Sequence, residues 1–141
     1  MSRRSKLIFL FLVVAQAAHS LEEYVTRLFE VFGPARLVSG LVAENLAVGF
    51  AVLNAAFIVV GIWCYVGPVR TGGRAGWFVA VISVAIELAN GTGHLAIAAF
   101  NGGYFSGALT AVLLVATGAS LAVSLVGDKR RGGHGVSPEV A

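Results

Sequence analysis

Residues 77–100 read WFVAVISVAIELANGTGHLAIAAF, an apolar stretch that contains three strongly polar side chains, Glu87, Asn90 and His94. A helix needs about 20 residues to cross the hydrocarbon core of a bilayer. The stretch is long enough for that crossing, because it contains 24 residues. We therefore predict a transmembrane helix that carries ionisable groups inside the membrane.

Three further apolar stretches cover residues 7–24, 46–66 and 105–127. The first reaches spanning length only when the polar residues at its end are counted within the helix. The whole chain is 57% hydrophobic and 12% charged, whereas about 25% of the residues are charged in a soluble domain. The sequence thus predicts an all-α integral membrane protein. A four-helix transmembrane bundle would cover residues 1–127, and residues 128–141 would form a disordered cytoplasmic tail.

The basic residues predict the orientation of these helices. Two of them, Arg27 and Arg36, fall on one side of the predicted membrane, and eight fall on the other: Arg3, Arg4, Lys6, Arg70, Arg74, Lys129, Arg130 and Arg131. The positive-inside rule therefore places both termini in the cytoplasm. The basic clusters flank apolar stretches and form no stripe interleaved with aromatic residues, so we expect the bilayer, not a nucleic acid, as the partner.

The first apolar segment has an alternative interpretation. Arg3 and Arg4, the apolar run after them and the small residues Ala15 and Ala17 also resemble a signal peptide with its cleavage site. The residues that follow, HSLEE at 19–23, favour a retained helix. His19, Glu22 and Glu23 are three and four residues apart, so a helix would place them on one face. The same residues are also compatible with the wet end of a helix.

Polar residues in the other helices occur at a similar depth. Glu87, Asn90 and His94 share one helix face, and a charged group near the bilayer centre costs about 2.5–3.5 kcal/mol on insertion scales. Such groups are expected to face the bundle interior, as a functional site or as a structural hydrogen-bonded pair. Asn54 in the second helix lies near the same midplane, where it would serve either as a neighbour of this site or as interhelical packing.

The shared depth predicts a metal site. The predicted ligands are His19, Glu22, Glu23, Glu87 and His94, with Asn54 and Asn90 around them. Helical bundles bind metals through inward carboxylates and imidazoles, and this donor set suits zinc, iron or manganese. Cys64 is the only cysteine, which excludes a thiolate cluster. Glu87 and His94 are two turns apart, so we expect either two metals about 3.5–4 Å apart or Glu87 as a base.

Two segments of the sequence resemble the motifs of a known family. HSLEE at the end of a first apolar helix is similar to the signature of the HXXEE family of small bacterial membrane proteins, and the segment 87–94, ELANGTGH, resembles that family's second polar motif. The resemblance implies a multi-helix protein of a bacterial inner membrane and supplies no reaction. One departure is that Ser106 and Gly107 replace a proline expected near the fourth helix. We expect this departure to concern helix entry more than chemistry.

Three functions follow as hypotheses. The first is a metal-dependent enzyme, hydrolase-, isomerase- or oxidase-like, that acts on a lipid or small apolar substrate with Glu23 and Glu87 as catalytic residues. The second is a proton- or ion-coupled transporter or channel. The third is a structural or accessory subunit. A row of small residues in the fourth helix also allows a homo-oligomer; it consists of Ala116, Ser120 and Ser124.

Overall fold

The computed structural model describes residues 1–133, which form helices joined by short connections. The helices are α1 (Arg3–Val25), α2 (Leu28–Val31), α3 (Gly33–Val42), α4 (Leu46–Cys64), α5 (Arg74–Phe100) and α6 (Ala108–Gly133), and a π-helical turn, Tyr65–Val69, continues α4. Four segments are long and apolar enough to cross a membrane: Arg3–Val25, Leu46–Val69, Arg74–Phe100 and Ala108–Arg131. The predicted all-α fold with four membrane-spanning helices is confirmed.

The outer surface of the bundle is apolar. Phe11, Phe57 and Phe78 are 64%, 65% and 60% exposed, and Val123 is 73% exposed. Contiguous apolar surface of this extent is unfavourable in water and marks contact with another apolar phase. The exposed side chains therefore support a bilayer as the surrounding solvent.

The four long helices pack in an open order. The first helix, α1, packs against both α4 and α6, and α6 packs against α5, whereas α4 approaches α5 mainly through the π-helical turn Tyr65–Val69. The core between α1, α5 and α6 is built from Phe9, Leu12, Val69, Ala80, Val84, Leu121 and Leu125. A second apolar cluster lies under α2 and α3; it contains Leu28, Phe29, Ala35 and Phe50. This order leaves a groove between α4 and α5, with α1 as its floor.

One end of the bundle is held together by polar contacts. The Met1 amine donates a hydrogen bond to the Gly72 carbonyl, and Asp128 Oδ2 accepts from the Ser2 amide and from Ser5 Oγ. Ser5 Oγ also lies 2.7 Å from Ser124 Oγ. The start of α1, the connection between α4 and α5, and the last turns of α6 therefore meet. Ser124, from the predicted small-residue row, is used within the bundle.

Five helix boundaries differ from the predicted ones by three residues or more; two of them are the start of α5, at Arg74 instead of residue 77, and the start of α6, at Ala108 instead of residue 105. Ser2 caps α1 by accepting a hydrogen bond from the Ser5 amide, so the helix begins at Arg3 instead of residue 7. A π-helical turn carries the α4 helix through Pro68 to Val69, instead of ending it at residue 66. The last helix continues to Gly133. Basic residues in its last turn interact favourably with the negative end of the helix dipole.

The tail predicted at residues 128–141 therefore does not begin at residue 128, which is helical. Residues 134–141 of that predicted tail lie outside the part of the chain that the structure describes.

Candidate metal centre

Two imidazoles and one carboxylate meet toward the C-terminal ends of α1 and α5. Nε2 of His94 lies 3.1 Å from Glu23 Oε1, and Nε2 of His19 lies 3.4 Å from the same oxygen. His19 is 0% exposed, Glu23 6% and His94 7%. The two rings stand edge to face with their centroids 4.7 Å apart. Two helices thus direct three buried side chains of metal-ligating type to one point.

The other ring nitrogen of His94 is engaged by the backbone. His94 Nδ1 lies 2.6 Å from the Ser106 carbonyl oxygen. A carbonyl oxygen only accepts hydrogen bonds, so Nδ1 carries the hydrogen. In neutral His94 the lone pair is therefore on Nε2, the atom that faces Glu23.

The orientation of His19 is fixed in the same way by α6. His19 Nδ1 lies 2.9 Å from Thr110 Oγ1. The Thr110 hydroxyl donates its single hydrogen to Glu22 Oε2, so it accepts one from His19 Nδ1. Neutral His19 then also presents the Nε2 lone pair to the centre. Within the described residues, that nitrogen has no hydrogen-bond partner.

The three inward-facing atoms form an electron-rich centre. A carboxylate oxygen beside two imidazole lone pairs is unfavourable unless a proton or a cation lies between them. The ligating atoms of His19, Glu23 and His94 all lie within 4.8 Å of one another. Two ligands bound to zinc at 2.0–2.1 Å with tetrahedral angles are about 3.4 Å apart, which is close to the separations of 3.1 and 3.4 Å observed here. The three side chains could therefore hold one metal ion.

Glu22 has a different role from its neighbour Glu23. Its carboxylate accepts hydrogen bonds from the amides of Leu109 and Thr110, at 3.2 and 2.7 Å, and from the Tyr104 hydroxyl at 2.6 Å. A carboxylate at a helix N-terminus satisfies free amides and interacts favourably with the helix dipole. Desolvation and the hydrogen bond to Glu22 raise the pKa of Tyr104. The structure therefore does not bring Glu22 into the group of ligating side chains; it caps α6.

Ser106 and Gly107 belong to the site, contrary to our expectation that they concern helix entry more than chemistry. Besides the Ser106 carbonyl, the site depends on Gly107, whose φ is +85°. A Cβ at this position would lie 2.7 Å from His94 Nδ1 and 2.8 Å from His19 Cε1. Only glycine lets the chain enter α6 directly over both imidazoles.

Glu87 and Asn90 lie beside this centre and line a cavity. The cavity has a volume of about 440 Å³ and occupies the groove between α4 and α5. Glu23 and His94 line it too, so it borders the centre. Glu87 is not among the three grouped ligands. Its Oε2 atom is buried and has no hydrogen-bond partner in the described part of the chain.

Asn54 also lines this cavity but contacts α1 through Ser20. Its Oδ1 accepts a hydrogen bond of 2.6 Å from Ser20 Oγ, and its Nδ2 donates to the Phe50 carbonyl. Asn54 therefore links α4 to the residue next to His19. The structure gathers one group of three possible ligands in residues 1–133. That group consists of His19, Glu23 and His94, and the choice between two metals and Glu87 as a base stays a prediction.

Sequence reasoning missed the residues that orient the imidazoles. Thr110 and the Ser106 carbonyl act from the start of α6, and a single threonine or a backbone carbonyl gives no sequence signal. Gly107 had one available signal, because a glycine directly before a helix marks an unusual backbone conformation.

The chain matches the model of one family over residues 10–122, described as protein of unknown function with HXXEE motif. The match covers most of the sequence, so the chain belongs to the HXXEE family. His19, Glu22 and Glu23 are the named positions of the motif here. No curated protein and no solved structure matches the chain.

Proposed function

We propose that the protein is a membrane-embedded enzyme that holds one divalent metal ion between His19, Glu23 and His94 and acts on a lipid or small apolar molecule. One observation carries the proposal: both Nε2 atoms face Glu23 Oε1 while both Nδ1 atoms are occupied elsewhere. Metal-ligating histidines typically donate the second ring nitrogen to a carbonyl or another oxygen, which fixes the tautomer. Two histidines and one glutamate are also the ligand set of several catalytic zinc sites.

The neighbouring cavity supports catalysis over a purely structural metal. A three-ligand site keeps a position for water or substrate, and the cavity borders His94 and Glu23. A metal there would supply Lewis acidity or activate water. Glu23, as a ligand, would hold the ion, and Glu87 on the cavity wall is the proposed general base. Zinc, iron and manganese are all compatible with these donors.

A proton or ion relay is the main alternative, and the packing argues against it. Between the His–Glu centre and the opposite polar end lie the fully buried apolar residues Phe9, Leu12 and Leu121. A relay across the bundle needs polar groups or water along its path. For the membrane itself, we propose the bacterial inner membrane with both termini in the cytoplasm, because eight basic residues lie on that side.

The test is the metal content of purified protein by mass spectrometry after metal-replete expression. We expect about one equivalent of a transition metal in the wild type, and its loss in His19→Ala, Glu23→Gln and His94→Ala. Glu30→Gln is the matched control, because this exposed carboxylate pairs with Arg27 and not with an imidazole, and should not be needed for the ion. A folded wild-type protein without metal would overturn the proposal. Proton flux in liposomes and effects of the same variants on stability alone would then test the relay and the structural-subunit alternatives.

A further inference from the structure

The cavity between α4 and α5 opens toward the lipid. Its lining includes Phe57 of α4, which is 65% exposed, and Ile86 of α5, which is 57% exposed on the outer surface of the bundle. Because residues of both helices line the cavity and are also exposed, the groove is open on the apolar outer surface of the bundle. A molecule dissolved in the membrane can reach the cavity by lateral diffusion.

The size and walls of the cavity limit what it holds. Its volume of about 440 Å³ lies in the lower part of the range of about 300–1,000 Å³ typical of small-molecule pockets. Most of the wall is aliphatic or aromatic, and α1, α3, α4 and α5 all contribute to it. This space suits one apolar chain or one small ring system better than a two-chain phospholipid.

The polar part of the wall favours a hydrogen-bond donor. The ionisable residues in the lining are Glu23, Glu87 and His94, and the lining contains no lysine or arginine. Glu23 already faces the imidazoles, whereas Glu87 Oε2 is buried without a partner in the described residues. A hydroxyl or ammonium group would satisfy Glu87. A carboxylate or phosphate would add an acceptor where a donor is missing, at a depth where an unpaired anion is costly.

We infer that this cavity is a lateral binding site for a single-chain or small-ring amphiphile whose polar end is a hydroxyl or an amine, hydrogen-bonded to Glu87. The inference names the substrate class of the site and so rests on the proposed function. Occupancy itself depends on the cavity and Glu87, not on the metal. Experiments can therefore disprove the lateral binding site and the proposed metal site independently.

The experiment uses the full-length protein in nanodiscs of zwitterionic lipid and three photoactivatable probes with the same hexadecyl chain, ending in an alcohol, a primary amine or a carboxylate. Crosslinked peptides are mapped by mass spectrometry. The alcohol and amine should label the cavity-lining parts of α4 and α5, and the carboxylate should label them about tenfold less, since an unsatisfied buried polar group weakens binding by that order. Unlabelled hexadecanol should compete with both donor probes in the wild type.

Four single-residue variants test which side chains the labelling depends on. Glu87→Gln should reduce the discrimination, because an amide offers a donor to the carboxylate probe. Ser83→Leu, in the cavity wall, should suppress labelling, whereas Ala85→Leu, exposed on the same helix and outside the lining, should not. His19→Ala lies outside the lining and should keep the labelling even if metal is lost. Equal labelling by the carboxylate in the wild type, or labelling spread over the outer surface without competition, would overturn the inference.

Discussion

Two adjacent glutamates in this protein contact different partners because the helix turns by about 100° between them. Glu23 is one helical turn from His19 and points to both imidazoles. Glu22 points to the start of α6, where it accepts four hydrogen bonds, two of them from backbone amides. Through Thr110, Glu22 also fixes the hydrogen of His19. The two glutamates of the motif HXXEE thus have separate contacts: Glu23 meets both imidazoles directly, and Glu22 supports His19 through Thr110.

Gly107 offers the sharpest single-residue test of this arrangement. Gly107→Ala places a methyl group within 2.8 Å of both imidazoles, besides the roughly 1–2 kcal/mol that a left-handed conformation costs a residue with a Cβ. We expect a lower thermal unfolding temperature and loss of bound metal, measured on the same purified sample by differential scanning fluorimetry and elemental mass spectrometry.

Gly102→Ala is the matched control for this prediction. Gly102 also has a positive φ, +64°, but an added Cβ meets nothing within 4 Å. The left-handed backbone conformation should lower the free energy of unfolding of this variant by about the same amount, and the variant should keep its metal. If both variants retained metal equally, Gly107 would be important for the backbone alone and not for the imidazoles.

The residue types of the site could be predicted from the sequence, but their partners could not. His19, Glu23 and His94 are all among the predicted ligands, because ionisable residues inside apolar helices are costly and usually mark a functional site. The separation of Glu22 from Glu23 depends on where α6 begins, and the amides that Glu22 caps lie 87 and 88 residues further along the chain. Helical spacing allows either Glu22 or Glu23 to pair with His19, so the choice between them depends on tertiary structure.

At the scale of elements, α1 is the central helix of the bundle. It supplies Phe9 and Leu12 to the core and His19 and Glu23 to the centre. Its start is tied to α6 through Asp128. A segment with this many interior contacts is unlike a signal peptide, which leaves the mature protein after cleavage.

We therefore predict that residues 1–17 are retained. The intact mass of the purified chain should correspond to the full 14.6 kDa sequence, and peptides spanning Ala17 and Ala18 should be recovered after digestion. Replacing Ala15 and Ala17 with leucine, which removes any small-residue cleavage motif, should leave the processed length unchanged. A product that begins at Ala18 would contradict the retained helix and would remove the core contacts of Phe9 and Leu12.

The number of membrane-spanning helices was predictable, whereas the short helices α2 and α3 and the order of the spans in space were not. Length and hydropathy alone identify four spans. The spans are apolar on nearly all faces, so their periodicity does not reveal which face packs against which neighbour. The central position of α1 and the open side between α4 and α5 therefore emerge only from tertiary structure. Boundaries shifted where a distant partner, such as Asp128 beside Ser2, stabilised additional turns.

At the scale of the whole molecule, the basic residues and the His–Glu centre lie toward opposite ends of the bundle. The Met1 amine contacts Gly72, and Lys6 Nζ donates to the Arg70 carbonyl, so the basic residues near the start of α1 lie beside those of the α4–α5 connection. The last turns of α6, which carry Lys129, Arg130 and Arg131, meet the same end through Asp128. The His–Glu centre lies toward the other end, where α5 finishes and α6 begins.

This separation leads to a prediction for the orientation in the membrane. Because basic residues are retained on the cytoplasmic side, the α4–α5 connection should face the cytoplasm and the α5–α6 connection should face the outside. Single cysteines at Thr71 and Asn101, both exposed, can be introduced after Cys64→Ala. In intact bacterial cells, a membrane-impermeant maleimide should label Asn101→Cys directly and Thr71→Cys only after permeabilisation. The reverse pattern would place the His–Glu centre in the inner half of the membrane, and a substrate from the outer leaflet would then have to cross the bilayer to reach it.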